Sequence, residues 1–374
     1  MPNFNKIDPS FWQNVHTQDF GCQLDCLVWY NKDQDIKGGL SKSKKGYDFP
    51  FICAYGMTAS RQDIFSLSDK KGVKYISPAK KVLTTMDTTK ACVQSQFAYN
   101  MGLFGKNITI AVIDTGCDMH LDLVLGHNRI IKFVDFINNK TISYDDHGHG
   151  TFVCGVLAGS GLCSNKRLSG IAPWCNLVVL KSLNEMGETQ AFTILNAMQW
   201  IIDHKQEYNI KIACMSFGSE PLQNYDPLVI GAEVLWDNGI VVVCASGNDG
   251  TIENSVKSPA ISPKVLSVGS CSCKMPFFES EFSSHGVYDG IIKPEVLAPG
   301  ENVVSLGTKN QIYNTMSGTS VATPTVAGMI ALLLEKNQNL TPSQLKNIVL
   351  SSCTTNNKNP QNIVNVANAL KLFN

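Results

Sequence analysis

A parallel β-sheet covered by helices on both faces, preceded by a small α+β domain, is the fold class predicted for this chain of 374 residues. Three observations predict it. From about Asn107 onward, short continuous apolar runs of the buried-strand type alternate with segments of helical spacing, the signature of repeated β-α-β units. The first hundred residues have another texture, with shorter runs and a Lys/Gly/Ser-rich stretch. The length, with 44% apolar and 17% charged residues, suits one large or two smaller globular domains.

In the first part, LDCLVWY (24–30) reads as a strand, followed by a polar stretch to Lys45. YDFPFICAYGM (47–57) is long enough for an extended pair. Ser60 caps a helix over RQDIFSLSDKK, and VKYISPAKKV (73–82) is a further strand. That order suits a β-α-β-β-α-β module of the ferredoxin-like type, bounded here as 1–83. TTMDTTK (84–90) has no apolar period and is expected as an exposed linker, so that 84–106 is a linker and entry segment and 107–374 the large domain. There, ITIAVID (108–114), NLVVLKSL (176–183), IKIACMSF (210–217), IVVVCAS (240–246), VLSVGS (265–270) and PEVLAPG (294–300) are the expected strands. Helices are expected over Gly150–Ala158, Thr189–His204, Pro227–Asn238 and from Ser320 to Glu335. A last one opens at Thr341-Pro342, with an N-cap and a first-turn proline.

Lys+Arg 31 against Asp+Glu 31 leaves no net charge, and no basic run argues for nucleic acid. No stretch reaches the roughly 18 apolar residues of a membrane span, and the N-terminal segment does not read as a secretory signal. The 13 cysteines are scattered. Two close pairs, Cys22/Cys26 and Cys271/Cys273, lack the histidines or second pair of a zinc site. A cytoplasmic protein without structural disulfides is expected.

Four segments carry candidate chemistry. Asp114 ends a buried strand, at the sheet edge where open α/β folds place ligands; a helix cap or a metal ligand is the plainer alternative. His149 lies in DDHGHGTFVCG between glycines that permit close approach; an ordinary loop histidine is the plainer alternative. Asn248, in CASGND, is either a turn residue or an amide aimed at a developing oxyanion. Ser320, in NTMSGTSVATPTVAG (314–328), sits where a helix begins: its N–H there favours an anion, and a plain helix N-cap is the alternative. A hydroxyl needs a base, the base an orienting carboxylate, and the oxyanion donors.

The order Asp…His…Ser, with AVIDTG, HLDL, GHGTFVCG, IAPWCNLVVLKSL, MSFGS, CASGND, FSSHG, LAPG and SGTSVATPTVAG in sequence, resembles the subtilisin-like serine proteases. The likeness is greatest to the intracellular ones of Gram-positive bacteria and covers about Asn107 to the C-terminus. It implies a three-layer α/β catalytic domain with Ser320 as nucleophile, His149 as general base and Asp114 as its partner. His147 is the competitor as base, and the Gly-His-Gly-Thr context selects His149. Asn248 and the Ser320 N–H are implied as oxyanion donors. Ser216-Phe217-Gly218 would pair with the substrate backbone and, with Ala245-Ser246-Gly247, wall the pocket for the residue before the cut. Lys257 aligns with the pocket floor, where a cation would favour an acidic side chain; the alternative is that it pairs with Asp249 or points to solvent, leaving a pocket that takes large apolar side chains.

The same resemblance implies a peptide or protein substrate and an N-terminal propeptide; autocleavage is then expected between Val82 and Asp87, with a permanent structural domain as the alternative. It implies no cofactor for the chemistry. The family's long calcium loop is replaced by AGSGLCSNKRLSG (158–170), and Asp122 alone does not argue for that site, so calcium dependence stays open. Val321 stands where Met is usual, Thr325 where His is frequent, and Phe152 where a second His follows the base. Cys154 is expected as core packing rather than as a redox sensor. General turnover and dedicated leader-peptide processing remain open as roles, with an inactive, protease-like binding protein as a third reading.

Overall fold

The computed structural model describes residues 3–9, 11, 23–31, 46–79, 85–250, 252–273, 277–308, 311–356 and 359–373. Cys22, the polar stretch to Lys45 and the Val82 end of the expected cleavage region lie outside them. The chain divides into two compact units, Met1–Val82 and Leu83–Asn374.

The first unit carries β1 (Gln23–Tyr30), β2 (Gly46–Phe49), β3 (Ala54–Ser60) and β4 (Val73–Pro78) in an antiparallel sheet of order β2-β3-β1-β4. The helix Arg61–Ser68 between β3 and β4 opens with a capping box, in which Ser60 and Asp63 each satisfy the other's backbone N–H. Ile64 and Leu67 of that helix pack with Cys26, Val28 and Ile76 of the sheet into a core of their own.

Among the described residues, the second unit is built around a nine-stranded sheet. In chain order the strands of this unit are β5 (Thr109–Asp114), β6 (Ile130–Asp135), β7 (Asn176–Lys181), β8 (Ile210–Met215), β9 (Val241–Ala245), β10 (Leu266–Cys271), β11 (Gly286–Tyr288), β12 (Ile291–Lys293), β13 (Val296–Pro299), β14 (Val303–Leu306), β15 (Tyr313–Met316), β16 (Thr354–Asn356) and β17 (Asn359–Ile363). The main sheet runs β16-β17-β13-β10-β9-β8-β5-β7-β6, parallel throughout except for β16. β5, β9 and β10 are buried along their whole length, because helices cover both faces and no position can face water. β11/β12 and β14/β15 are separate hairpins.

The helix Thr319–Lys336 packs against β8, β9, β10 and β13 with every residue from Val321 to Leu334 buried. Its run of small residues follows from that position: a Cβ on Gly328 would stand 2.8 Å from the Cβ of Ile171. Among the described residues, no helix is long and apolar enough to cross a membrane.

One expectation is corrected. The stretch expected as an exposed linker is helical over Thr85–Cys92. Thr89 is fully buried, and the Lys90 ammonium donates to Ser169 Oγ at 2.9 Å and to the Lys166 carbonyl at 3.4 Å. Polar contacts of this kind leave no apolar period to read.

Candidate active site

Asp114 is the last residue of β5 and is 1% exposed. Its Oδ1 accepts from the Thr115 N–H at 2.7 Å, and its carbonyl accepts from Ser182 and Leu183 of the neighbouring strand's exit. Opposite it in register on β7 stands Lys181, a fully buried lysine. The Lys181 ammonium donates to the carbonyls of Thr115 and Leu183 and to Asp146 Oδ1 at 2.6 Å. A charge buried this deeply is tolerated because each proton has an acceptor, and it ties the 144–148 loop to the strand end.

His149 begins the helix His149–Ala158. Asp145 anchors that start: Oδ1 accepts from the Thr115 hydroxyl and the N–H groups of His147 and Gly148, while Oδ2 accepts from Thr151 N–H and its hydroxyl. Gly148 precedes the helix with φ 104°, a conformation that favours glycine. A Cβ on Gly150 would lie 2.1 Å from the Gly116 carbonyl oxygen, so only glycine lets the helix approach the Asp114 loop.

His149 Nδ1 is thereby held 2.8 Å from Asp114 Oδ1. A carboxylate can only accept, so Nδ1 carries the proton and Nε2 of the neutral ring keeps its lone pair. Burial alone would lower the imidazole pKa. The Asp114 carboxylate, by charge and hydrogen bond, and then Asp145 outweigh it and hold the pKa above 6.5.

Ser320 is the second residue of its helix. Phe152, one turn into the His149 helix, and Val321, next to Ser320, pack in one small core with Val156, Leu168 and Val303, bringing the two helix starts together. Among the described residues Ser320 accepts no hydrogen bond from His149 and gives none to it, and its own N–H has no acceptor. Asn248 Oδ1 accepts from the Thr319 N–H at 2.9 Å and from its hydroxyl at 3.1 Å. Because an N–H can only donate, the oxygen must face the helix, and the amide Nδ2 is turned to the other side. Nδ2 and Ser320 Oγ lie 3.5 and 3.1 Å from the point where a Cβ on Gly318 would stand. Among the described residues, two unspent donors and a hydroxyl therefore share one corner at a helix N-terminus.

The remaining expected residues form the adjoining walls. Ser216 and Ser246 are buried, Ala245 ends β9, and Phe217 packs partly against the core. Ser219 and Ser258 exchange backbone hydrogen bonds just beyond Gly218. The Lys257 stem threads between the walls: a Cβ on Gly218 would stand 2.5 Å from Lys257 Cβ, and one on Gly247 2.7 Å from Lys257 Cγ. Of the alternatives for Lys257, pairing with Asp249 is the one the structure carries. The Lys257 ammonium is paired with both Asp249 and Glu220, which lie on opposite walls. A cavity of about 660 Å³ is lined by Phe217–Ser219 together with Leu183, Ala191, Ile194 and Leu228 among others.

Asp122 is fully buried, with Oδ1 accepting from Cys163 N–H at 2.8 Å and Oδ2 from the Tyr313 hydroxyl at 2.7 Å. Cys154 is buried in the core, its thiol pushed well up by a hydrogen bond with Cys117 and by burial. Sequence reasoning missed Asp145, Lys181, Thr319 and Glu220. A lysine closing an apolar strand, and two carboxylates just before His149, were signals for the first two. Nothing local marked Glu220, 37 residues from Lys257.

Comparison with known proteins agrees with this architecture. The profile of the subtilase family matches residues 105–366. Serine protease AprX of Bacillus subtilis (strain 168) is 36% identical over 338 residues, covering 83% of this chain and 75% of that protein. The major intracellular serine protease of the same organism is 35% identical over 241 residues, covering 62% of this chain and 70% of that one. The crystal structure of a cold-adapted subtilisin-like serine proteinase superposes with a TM-score of 0.59 at 28% identity, over 71% of this chain and 90% of that one. The chain belongs to the subtilase family and is a subtilisin-like serine endopeptidase.

Proposed function

We propose that Ser320 attacks the scissile carbonyl while His149 Nε2 takes its proton, with Asp114 holding the ring's tautomer and stabilising the imidazolium. The acyl-enzyme forms as His149 returns the proton to the leaving amine, and water repeats the cycle. Asn248 Nδ2 and the Ser320 N–H receive the oxyanion. The observation that carries this reading is the 2.8 Å bond from His149 to Asp114, which leaves Nε2 as the acceptor. Because apo geometry often tightens only with substrate bound, the missing Ser320–His149 hydrogen bond is compatible with it. The test is Asn248→Ala. It should lower kcat by roughly 10²–10³-fold, the range established for the corresponding change in subtilisin itself, and leave KM nearly unchanged. A change confined to KM would contradict the role.

The chemistry in this reading needs no metal, and the rate depends on neutral imidazole. kcat/KM is expected to rise with pH along a limb centred above 6.5, since Asp114 and Asp145 stabilise the protonated ring. The profile should be the same in EDTA, and Asp145→Asn should move the midpoint down. A wild-type midpoint at or below 6.5 would contradict the electrostatics.

For the residue before the cut we propose an apolar side chain of modest size. Two carboxylates already meet the Lys257 cation, and its stem narrows the space between the walls. An acidic side chain would have to displace one of them. Profiling a peptide library should show apolar preference, and Lys257→Ala should improve cleavage after large aromatic residues by about tenfold. Enrichment of Asp and Glu in the wild-type profile would overturn this and favour a dedicated processing role.

The first unit is proposed as a propeptide that the enzyme removes itself. Its separate core and ferredoxin-like strand order support that reading. Proteases bind extended chain, and residues from Thr85 are helical, so the cut is placed N-terminal to Thr85. A cytoplasmic setting is proposed from the cysteines of the second unit, which are free thiols among the described residues.

A further inference from the structure

A cavity of about 840 Å³ lies apart from the substrate cleft, at the far end of the helix that begins with His149. Ten residues of helix separate the two, about 15 Å along its axis. Its wall includes Lys90, His127, Arg129 and Lys166, with Trp174 and Leu162 exposed at its edge, and among the described residues no carboxylate lines it. Volumes of this order suit small organic ligands.

Arg129 is the informative residue. It is 4% exposed, yet its guanidinium meets only carbonyls: Nε donates to Pro173 at 2.7 Å, and Nη1 to His127 at 2.7 Å and Leu123 at 3.5 Å. Nη2 has no partner among the described residues. Asp122 is the carboxylate near enough to be felt, but both its oxygens are occupied by Cys163 and Tyr313. Burial accordingly pulls the Arg129 pKa below its ordinary value. A buried cation is normally paired with a carboxylate or another anion, and this one has a spare planar donor on a cavity wall carrying further cations. Beside it, the Trp174 ring stacks on His127 with centroids 6.1 Å apart and is itself half exposed. Leu162 is likewise open to solvent.

We propose that this cavity binds a small anion carried on a flat apolar body, an aromatic carboxylate or aromatic phosphate ester. Arg129 and Lys166 take the anionic group, and Trp174 and Leu162 cover the apolar part.

The test is calorimetric titration of the full-length chain carrying Ser320→Ala, to prevent self-digestion, with 1-naphthaleneacetate, 1-naphthyl phosphate, neutral 1-naphthaleneacetamide and inorganic phosphate. One or both aromatic anions should bind, with the amide and inorganic phosphate each weaker by roughly tenfold or more, about one charge-assisted contact or one stacked ring. Which aromatic anion binds more tightly distinguishes carboxylate from phosphate ester. Lys166→Glu and Trp174→Ala, both at exposed positions, should each weaken binding by about tenfold. In the Ser320 background the same two changes should leave peptide hydrolysis unchanged. The proposal is overturned if neither aromatic anion binds at millimolar concentration, if the amide binds as tightly as the acid, or if Lys166→Glu leaves the affinity untouched.

Discussion

Replacing Ser320 by Ala is expected to lower kcat by on the order of 10⁶-fold, the scale established for loss of the nucleophile in subtilisin itself. It corresponds to about 8 kcal/mol of transition-state stabilisation. The loss is this large because the hydroxyl is the one atom that turns a difficult hydrolysis into two easier acyl transfers. A residual rate above that in water should survive, since Asn248 Nδ2, the Ser320 N–H and the substrate-binding walls are untouched by the change. The fold should hold as well: position 320 opens a helix, and alanine is a good helix former. The same variant reports on the first unit. Purified Ser320→Ala should retain the first unit, Met1–Val82, whereas wild-type enzyme should lose it. Wild-type enzyme that is active and still full-length from Met1 would refute self-removal while leaving the catalytic reading intact.

Asp114→Asn is expected to cost on the order of 10⁴-fold in kcat, the scale known for orienting carboxylates of this kind. The size is large for an exchange of oxygen for nitrogen, and the tautomer explains it. Asp114 Oδ1 accepts the Nδ1 proton of His149. An asparagine amide can donate to Nδ1 instead, moving the ring proton to Nε2, where the base must have a lone pair. Asp114 also raises the imidazole pKa, so its loss should shift the acid limb of kcat/KM to lower pH. A purely structural role would not move that midpoint. An unchanged midpoint with a large rate loss would mean that Asp114 acts by packing alone.

Much of the catalytic unit was legible in the sequence because its information is local. ITIAVID and VVVCAS are continuous apolar runs, which only strands covered on both faces can carry; they became β5 and β9. Thr341-Pro342 announced its helix through capping chemistry alone, and the box with Gln344 is present. What escaped was information held between distant segments. β6 is an edge strand with only its end residues buried, so IIKFVD carries a weak pattern. The Thr85–Cys92 helix is fixed by partners in the 166–169 loop rather than by an apolar stripe of its own. Lys257 showed its charge in the sequence but not its partners, because Glu220 reaches it only when two loops meet. The site followed the same division. Asp114, His149, Asn248 and Ser320 were marked by their short contexts. Asp145 and Lys181, which hold the imidazole's loop in place, act through bonds that the folded chain alone creates.

Everything proposed for catalysis rests on Ser320 being a hydroxyl made nucleophilic by His149. Covalent labelling with a serine-reactive fluorophosphonate, followed by peptide mapping, addresses that dependence without the need for a known substrate. One adduct per chain is expected, on the peptide containing Ser320, absent from Ser320→Ala and strongly slowed in His149→Ala. An adduct at another serine, or labelling that persists in Ser320→Ala, would contradict it.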